Sequence, residues 1–159
     1  PQNKFTLQIG DGRASKILNE IPVAYDFRSQ DVLMGGNGAP LVPIGDELLF
    51  SQYDACLNIG GFSNISFKKD GKRMAFDICP VNVILNQFAI KLGKNYDENG
   101  DFARAGTVNF EILTLLNTLP FYQSAPPKSL GIEWINENVL PLLEGDHAEN
   151  ILATFTEWT

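Results

Sequence analysis

The spacing of apolar positions changes near the middle of the chain. From Phe5 to Arg28 they fall in short runs, Phe5–Ile9, Ala14–Ile21 and Pro22–Tyr25 closing on Asp26. That order predicts strand, helix, strand, the signature of a parallel βαβ unit. Gly35-Gly36-Asn37-Gly38-Ala39-Pro40 must then be a tight loop, and Leu41–Phe50 reads as a short helix. After Ser51 come three apolar runs, Ala55–Ile59, Asn64–Phe67 and Met74–Ile78, separated by Gly60-Gly61 and by Asp70-Gly71. Asp-Gly between apolar runs is a strong hairpin signal. Pro80 stands at or near the start of a helix whose face is Val81, Ile84, Leu85, Phe88 and Leu92, and further helices are expected over Val108–Leu119, Ile132–Leu140 and His147–Thr156. Three antiparallel strands feeding a helix suggest a second domain beginning near Tyr53, giving domains 1–52 and 53–159 in an α/β chain.

Composition narrows the partners. The 159 residues are 44% hydrophobic and carry a net charge of −7, enough apolar material for a core. An acidic chain without a Lys/Arg cluster is not built to neutralise nucleic-acid phosphates. No apolar run reaches the roughly 18 residues of a membrane span, and no signal peptide is seen, so we expect a cytoplasmic protein without a membrane partner. Cys56 and Cys79 are too few for a disulfide scaffold and lack metal-ligand spacing. Both ends look cut. Residue 1 is proline, and the last helix, with Asp146 and Glu149 as a capping-box-like start, runs to Thr159 without a stop signal.

Several segments invite a chemical reading. Gly10-Asp11-Gly12-Arg13-Ala14-Ser15 lies where a dinucleotide fingerprint belongs, with Asp26 as a ribose ligand, but Ser15 replaces the third glycine. Asp97-Glu98-Asn99-Gly100-Asp101 imitates half a calcium loop, and Phe102 and Val108 break the other half. We expect a polar turn. His147, the only histidine, should be a solvated surface group. Asn58-Ile59-Gly60-Gly61-Phe62-Ser63-Asn64 is richer: Gly60 and Gly61 can leave backbone N–H groups open to an anion, and Ser63 and Asn64 add donors. A plain hairpin turn would use the same glycines. Asp77 ends an apolar strand just before a helix, which suits either a general base with a raised pKa or a helix N-cap. Cys79 would be a nucleophile only with a base beside it.

Taken together, Asp26-Phe27-Arg28-Ser29-Gln30-Asp31, Gly35 through Pro43, Asn58 through Asn64, Phe76-Asp77 and Pro126-Pro127-Lys128-Ser129-Leu130-Gly131 resemble the anhydro-N-acetylmuramic acid kinases in order and spacing. The resemblance implies a partial actin-like ATPase (ribonuclease-H-like) fold, the end of one such domain and the start of the next. It also implies ATP with Mg²⁺ as cofactors and an amino-sugar substrate, with a homodimer left open. ATP would phosphorylate the 6-oxygen of 1,6-anhydro-N-acetylmuramic acid while water opens the anhydro bridge, in bacterial cell-wall recycling. Asp77 matches the catalytic aspartate that takes a proton from that water. Gly60 and Gly61 match a phosphate-binding hairpin, with Ser63 and Asn64 beside them. Asp26, Arg28, Asp31, Gly36 and Gly38 fall in a stretch that matches the family's cleft-lining segment near the sugar, and Asn82 matches the last residue of the family's Gly-Pro-Gly-Asn run. No metal ligand is assigned. Phosphoryl transfer of this kind rests on positioning and fixed dipoles and needs neither histidine nor cysteine.

Two departures stand out. Cys79 and Val81 occupy the two glycine positions of that run, and their side chains would narrow the site if the backbone must approach a ligand there. The family's amino-terminal phosphate loop and carboxy-terminal adenosine-binding glycines have no counterpart in this sequence, so the fragment alone is not expected to be a competent kinase. Two rival readings are a nicotinamide-dependent oxidoreductase built on Gly10-Asp11-Gly12 and a non-catalytic sugar-binding remnant.

Overall fold

A computed structural model describes residues 10–36, 38 and 41–159. The expected strand Phe5–Ile9, and Asn37, Ala39 and Pro40 of the glycine loop, lie outside the described residues. The chain divides into two compact units, Pro1–Ser51 and Gln52–Thr159.

In the first unit three short helices follow one another: α1 (Gly12–Asn19), α2 (Phe27–Leu33) and α3 (Val42–Leu49). The Asp11 carboxylate accepts the Arg13 N–H and caps α1, which ends at Glu20 in a left-handed conformation. No residue of α1 is buried. Pro22–Tyr25 is not a strand. Its apolar groups stay largely in solvent, with Tyr25 half exposed, so the alternation there reflected surface residues and no second strand of a βαβ unit forms. Helix α2 went unread because its middle, Arg28-Ser29-Gln30-Asp31, is polar and only Val32 is buried.

The second unit opens with an antiparallel sheet of β1 (Ala55–Ile59), β2 (Phe62–Lys69) and β3 (Lys72–Pro80), in that spatial order. β1 keeps its expected bounds. β2 and β3 extend past their apolar runs because Lys69 pairs with Lys72 across a two-residue turn. Asp70 and Gly71 both have positive φ in that turn, 50° and 75°, as the twist of a type I′ hairpin requires. Pro80 is the last residue of β3 and no part of the helix, which is α4 (Asn82–Lys91).

After the sheet and α4 come α5 (Asp101–Ala105), α6 (Phe110–Asn117), α7 (Ile132–Asn138) and α8 (Ala148–Trp158), which gather around one core. Helix α8 is its centre: five consecutive residues, Ile151–Phe155, are buried, and α4, α5 and α6 all pack on it. Ile84 and Phe88 of α4 and Ile112 and Leu116 of α6 supply i, i+4 pairs to that core. Burying each such side chain stabilises by about 1.5–3 kcal/mol. Gly106 ends α5 against α8, where a Cβ would lie 2.1 Å from the Glu149 carbonyl oxygen. Asn109 caps α6 through Oδ1, accepting from Glu111 N and Ile112 N. It also donates Nδ2–H to Asp146 at 2.8 Å. That bond first, and one from Asn150 next, hold the Asp146 carboxyl below its ordinary pKa. The expected capping box is therefore displaced: His147 is the N-cap of α8 without a side-chain bond, and Asp146 ties α6 to α8 instead. His147 is exposed, as anticipated.

Candidate functional site

The sheet, the Gly60-Gly61 turn and α4 form one construction. Val81 N and Val83 N donate to the Gly61 carbonyl at 2.8 and 3.3 Å, and Asn82 N donates to that of Gly60 at 3.2 Å. The first N–H groups of α4 are thus satisfied by the hairpin, and no anion is needed to cap the helix. Gly60 N–H donates to the Phe62 carbonyl, so among the described residues the Gly61 N–H is the unspent donor of the turn. Neither glycine has a positive φ. A Cβ at Gly61 would sit 3.1 Å from Val83 Cγ1, while one at Gly60 would meet only ordinary contacts at 3.6 Å and beyond. Gly61 and Asn82 line a cleft of about 490 Å³ with Val83, Asn86, Gln87 and Ile90. Asn86 and Gln87 were not read from the sequence; their only signal is that they follow Asn82 by four and five residues along α4.

The next pairs of the sheet carry Asp77. Ser63 pairs with Cys79 but Asn64 pairs with Asp77, so Ile78 is an extra residue and β3 bulges there. A bulge turns a side chain relative to its strand, and this one breaks the register between Asp77 and Cys79. Asp77 is not a helix N-cap, since α4 is capped by Val81. Its Oδ2 accepts the Leu130 N–H at 2.8 Å and its own N–H donates to the Lys128 carbonyl at 3.1 Å. Oδ1 has no hydrogen-bond partner among the described residues. Burial pushes the Asp77 carboxyl above its ordinary pKa, and the Leu130 N–H only partly offsets this.

Ser63 has another task than the one expected of it. It is buried; its Oγ–H donates to the Cys79 carbonyl at 3.2 Å and its Oγ accepts the Cys79 N–H at 3.3 Å, with Cys79 Sγ 3.0 Å away, so its hydroxyl is no open donor for a ligand. Cys79 and Val81 are buried too. Burial pushes the Cys79 thiol up, away from the thiolate a nucleophile needs.

In the first unit Arg28, Asp31, Gly36 and Gly38 come together. Asp31 Oδ2 accepts the Gly38 N–H at 2.7 Å, Arg28 Nη1 donates to the Gly38 carbonyl, and Gly36 N–H donates to the Asp31 carbonyl at 2.8 Å. One peptide segment is gripped by an acid and a base on the same helix. Asp26 stands just before α2 at φ 64°, exposed and making no cap bond. That left-handed conformation is uncommon outside glycine.

The family comparison rests on the whole of this chain. A model of the family described as "Anhydro-N-acetylmuramic acid kinase" matches residues 1–159. The chain belongs to that family. Among curated relatives it is 43% identical to the anhydro-N-acetylmuramic acid kinase of Pseudomonas fluorescens, over 100% of this chain and 46% of that protein. It is 38% identical to the one from Coxiella burnetii over 99% and 45%, and 37% identical to that of Paraburkholderia xenovorans over 94% and 42%. The chain spans about half the length of the curated relatives it matches. The anhydro-N-acetylmuramic acid kinase relationship leaves no support for the dinucleotide reading. Gly12 has a structural reason, since a Cβ there would fall 2.2 Å from the Tyr25 ring. Among the described residues no group of three or more His, Cys, Asp and Glu gathers to hold a metal ion, and no helix is long and apolar enough to cross a membrane. In the calcium-like segment the Asp97 carboxylate is spent on Phe102 N and Ala103 N at 2.8 and 2.9 Å.

Proposed function

We propose that this chain is the middle part of a cytoplasmic, ATP-dependent kinase that opens 1,6-anhydro-N-acetylmuramic acid and phosphorylates it to N-acetylmuramic acid 6-phosphate. Its two units are then the end of one actin-like domain and the start of the next. The observation that carries the reading is Asp77: a carboxylate on a bulged strand, partly desolvated, with one oxygen held and the other unspent. In this reading Oδ1 takes a proton from water attacking the anomeric carbon, and the raised pKa favours that transfer. The C1–O6 bond breaks, and the freed 6-oxygen attacks the γ-phosphorus as ADP leaves.

Gly61 N–H and the open turn at Gly60 suit the phosphates, with Asn64 and Asn82 as neighbouring donors. The gripped loop of Arg28, Asp31, Gly36 and Gly38, together with Asp26, suits sugar hydroxyls through fixed backbone. Mg²⁺ would come with the nucleotide, held mainly by its phosphates, and would supply charge neutralisation there.

The test uses the full-length protein with ATP and the anhydro sugar, following the 6-phosphate product. Asp77→Asn should lower turnover by about 10²–10⁴-fold. Unchanged turnover would remove the assignment, and sugar binding without ATP consumption by the unmutated protein would favour a binding role.

A further inference from the structure

Asp77 is gripped from outside the sheet by a segment without regular structure. The Lys128 carbonyl accepts the Asp77 N–H at 3.1 Å, and the Leu130 N–H reaches Asp77 Oδ2 at 2.8 Å. One loop thus holds both the backbone and the side chain of the carboxylate. Ala125, Pro126, Pro127 and Ser129 in that loop are exposed, so little of it is fixed by burial.

The Lys128 side chain supplies the anchor. Its Nζ donates to the Phe121 carbonyl at 3.0 Å. It lies 4.4 Å from the Phe121 ring centroid, 5.7 Å from Tyr122 and 5.9 Å from Phe76, and aromatic faces attract such a cation. Phe121 is itself buried and packs on Trp134 and Tyr122, with ring centroids 5.4 and 5.6 Å away. The ammonium therefore ties a surface loop to the core and to Phe76, the strand neighbour of Asp77.

We propose that Lys128 is a positioning residue for Asp77: its ammonium locks the loop so that the Leu130 N–H holds Oδ2 and leaves Oδ1 as the working oxygen. The proposal rests on reading Asp77 as the base. The charged and titratable groups on the elements around Asp77 are Lys128 on the loop, Lys72, Arg73 and Cys79 on β3, Lys68 and Lys69 on β2 and Tyr122 before the loop, while β2 opposes it with neutral Asn64. Loosening the loop removes a hydrogen bond that favours the ionised carboxylate, while the burial remains. The base must be ionised to work, so its acidic limb should move to higher pH.

In the full-length protein Lys128→Met keeps the apolar stem and removes the cation. We expect turnover to fall roughly tenfold, the acidic limb of the kcat profile to rise by about half a unit to one unit, and KM for ATP to hold. Lys128→Arg should restore much of both, because a guanidinium also sits well on aromatic rings. Leu130→Pro deletes the N–H itself and should shift the limb the same way; it carries the test if Lys128→Met does not fold. An unmoved limb in these variants overturns the proposal, whatever happens to the rate. Loss of turnover in Asp77→Asn beside that unmoved limb sinks only the positioning role, whereas full turnover in Asp77→Asn removes the base as well.

Discussion

Two glycine-rich turns in this chain look alike in sequence and differ in what holds them. At Gly36 a Cβ would fall 2.2 Å from Asp31 Oδ2, and at Gly38 it would fall 2.8 Å from Val32 Cγ2 with φ at +70°. The backbone demands glycine at Gly38, and at Gly36 it is the seat of the Asp31 carboxylate that favours one. At Gly60 neither dihedral nor space does so. Under the proposed function, a glycine that the fold does not need is the better pointer to a ligand, and Gly60 is such a residue.

That contrast can be broken by substitution in the full-length protein, read by chemical unfolding beside turnover. Gly38→Ala should cost the most stability, about 2–4 kcal/mol, because a left-handed alanine costs roughly 1–2 kcal/mol before the clash with Val32 is counted. Gly36→Ala should cost about 1.5–3 kcal/mol, the worth of the charged Asp31 hydrogen bond to Gly38 that the new methyl would displace. Gly61→Ala should cost under about 1 kcal/mol, since Val83 need give by only a few tenths of an ångström. Gly60→Ala should stay within about 0.5 kcal/mol of the parent and show its effect in turnover alone. A large stability loss at Gly60 would erase the distinction.

Asp77 sharpens the same point through pH. Its carboxyl is raised by burial, so the protonated form is the one the fold prefers. Below the ordinary Asp value of 3.8 the carboxyl costs nothing, and the cost grows as pH rises through the folded-state value and then stays constant. Asp77→Asn should therefore stabilise slightly at neutral pH, by less than about 1 kcal/mol in this partly buried setting, and the gain should vanish toward pH 3. Equal stability of the two proteins at every pH would contradict the desolvation.

The sequence was most readable where local chemistry decides. Asp70-Gly71 announces its hairpin because few residues accept two positive φ angles in succession, and the α4 face repeats at helical spacing because it meets one core. It was least readable where the reason is distant. The grip of Arg28 and Asp31 on Gly38 spans ten and seven residues, and α2 shows no apolar stripe to betray it. Ser63 looked like an open donor until Cys79, sixteen residues on, took its hydroxyl. The bulge at Ile78 leaves no mark in the alternation, and the bond from Leu130 to Asp77 spans 53 residues. Asp77 itself was legible as a carboxylate at the end of a strand; the atom left free for chemistry was not.

The Gly60 and Gly61 carbonyls that cap α4 make the turn and the helix a single mechanical part. A ligand that draws the turn inward must pull on the end of α4, and α4 lies on α8 at the centre of the helical core. Displacement at the turn is thereby geared to the body of the second unit, with three peptide hydrogen bonds as the coupling.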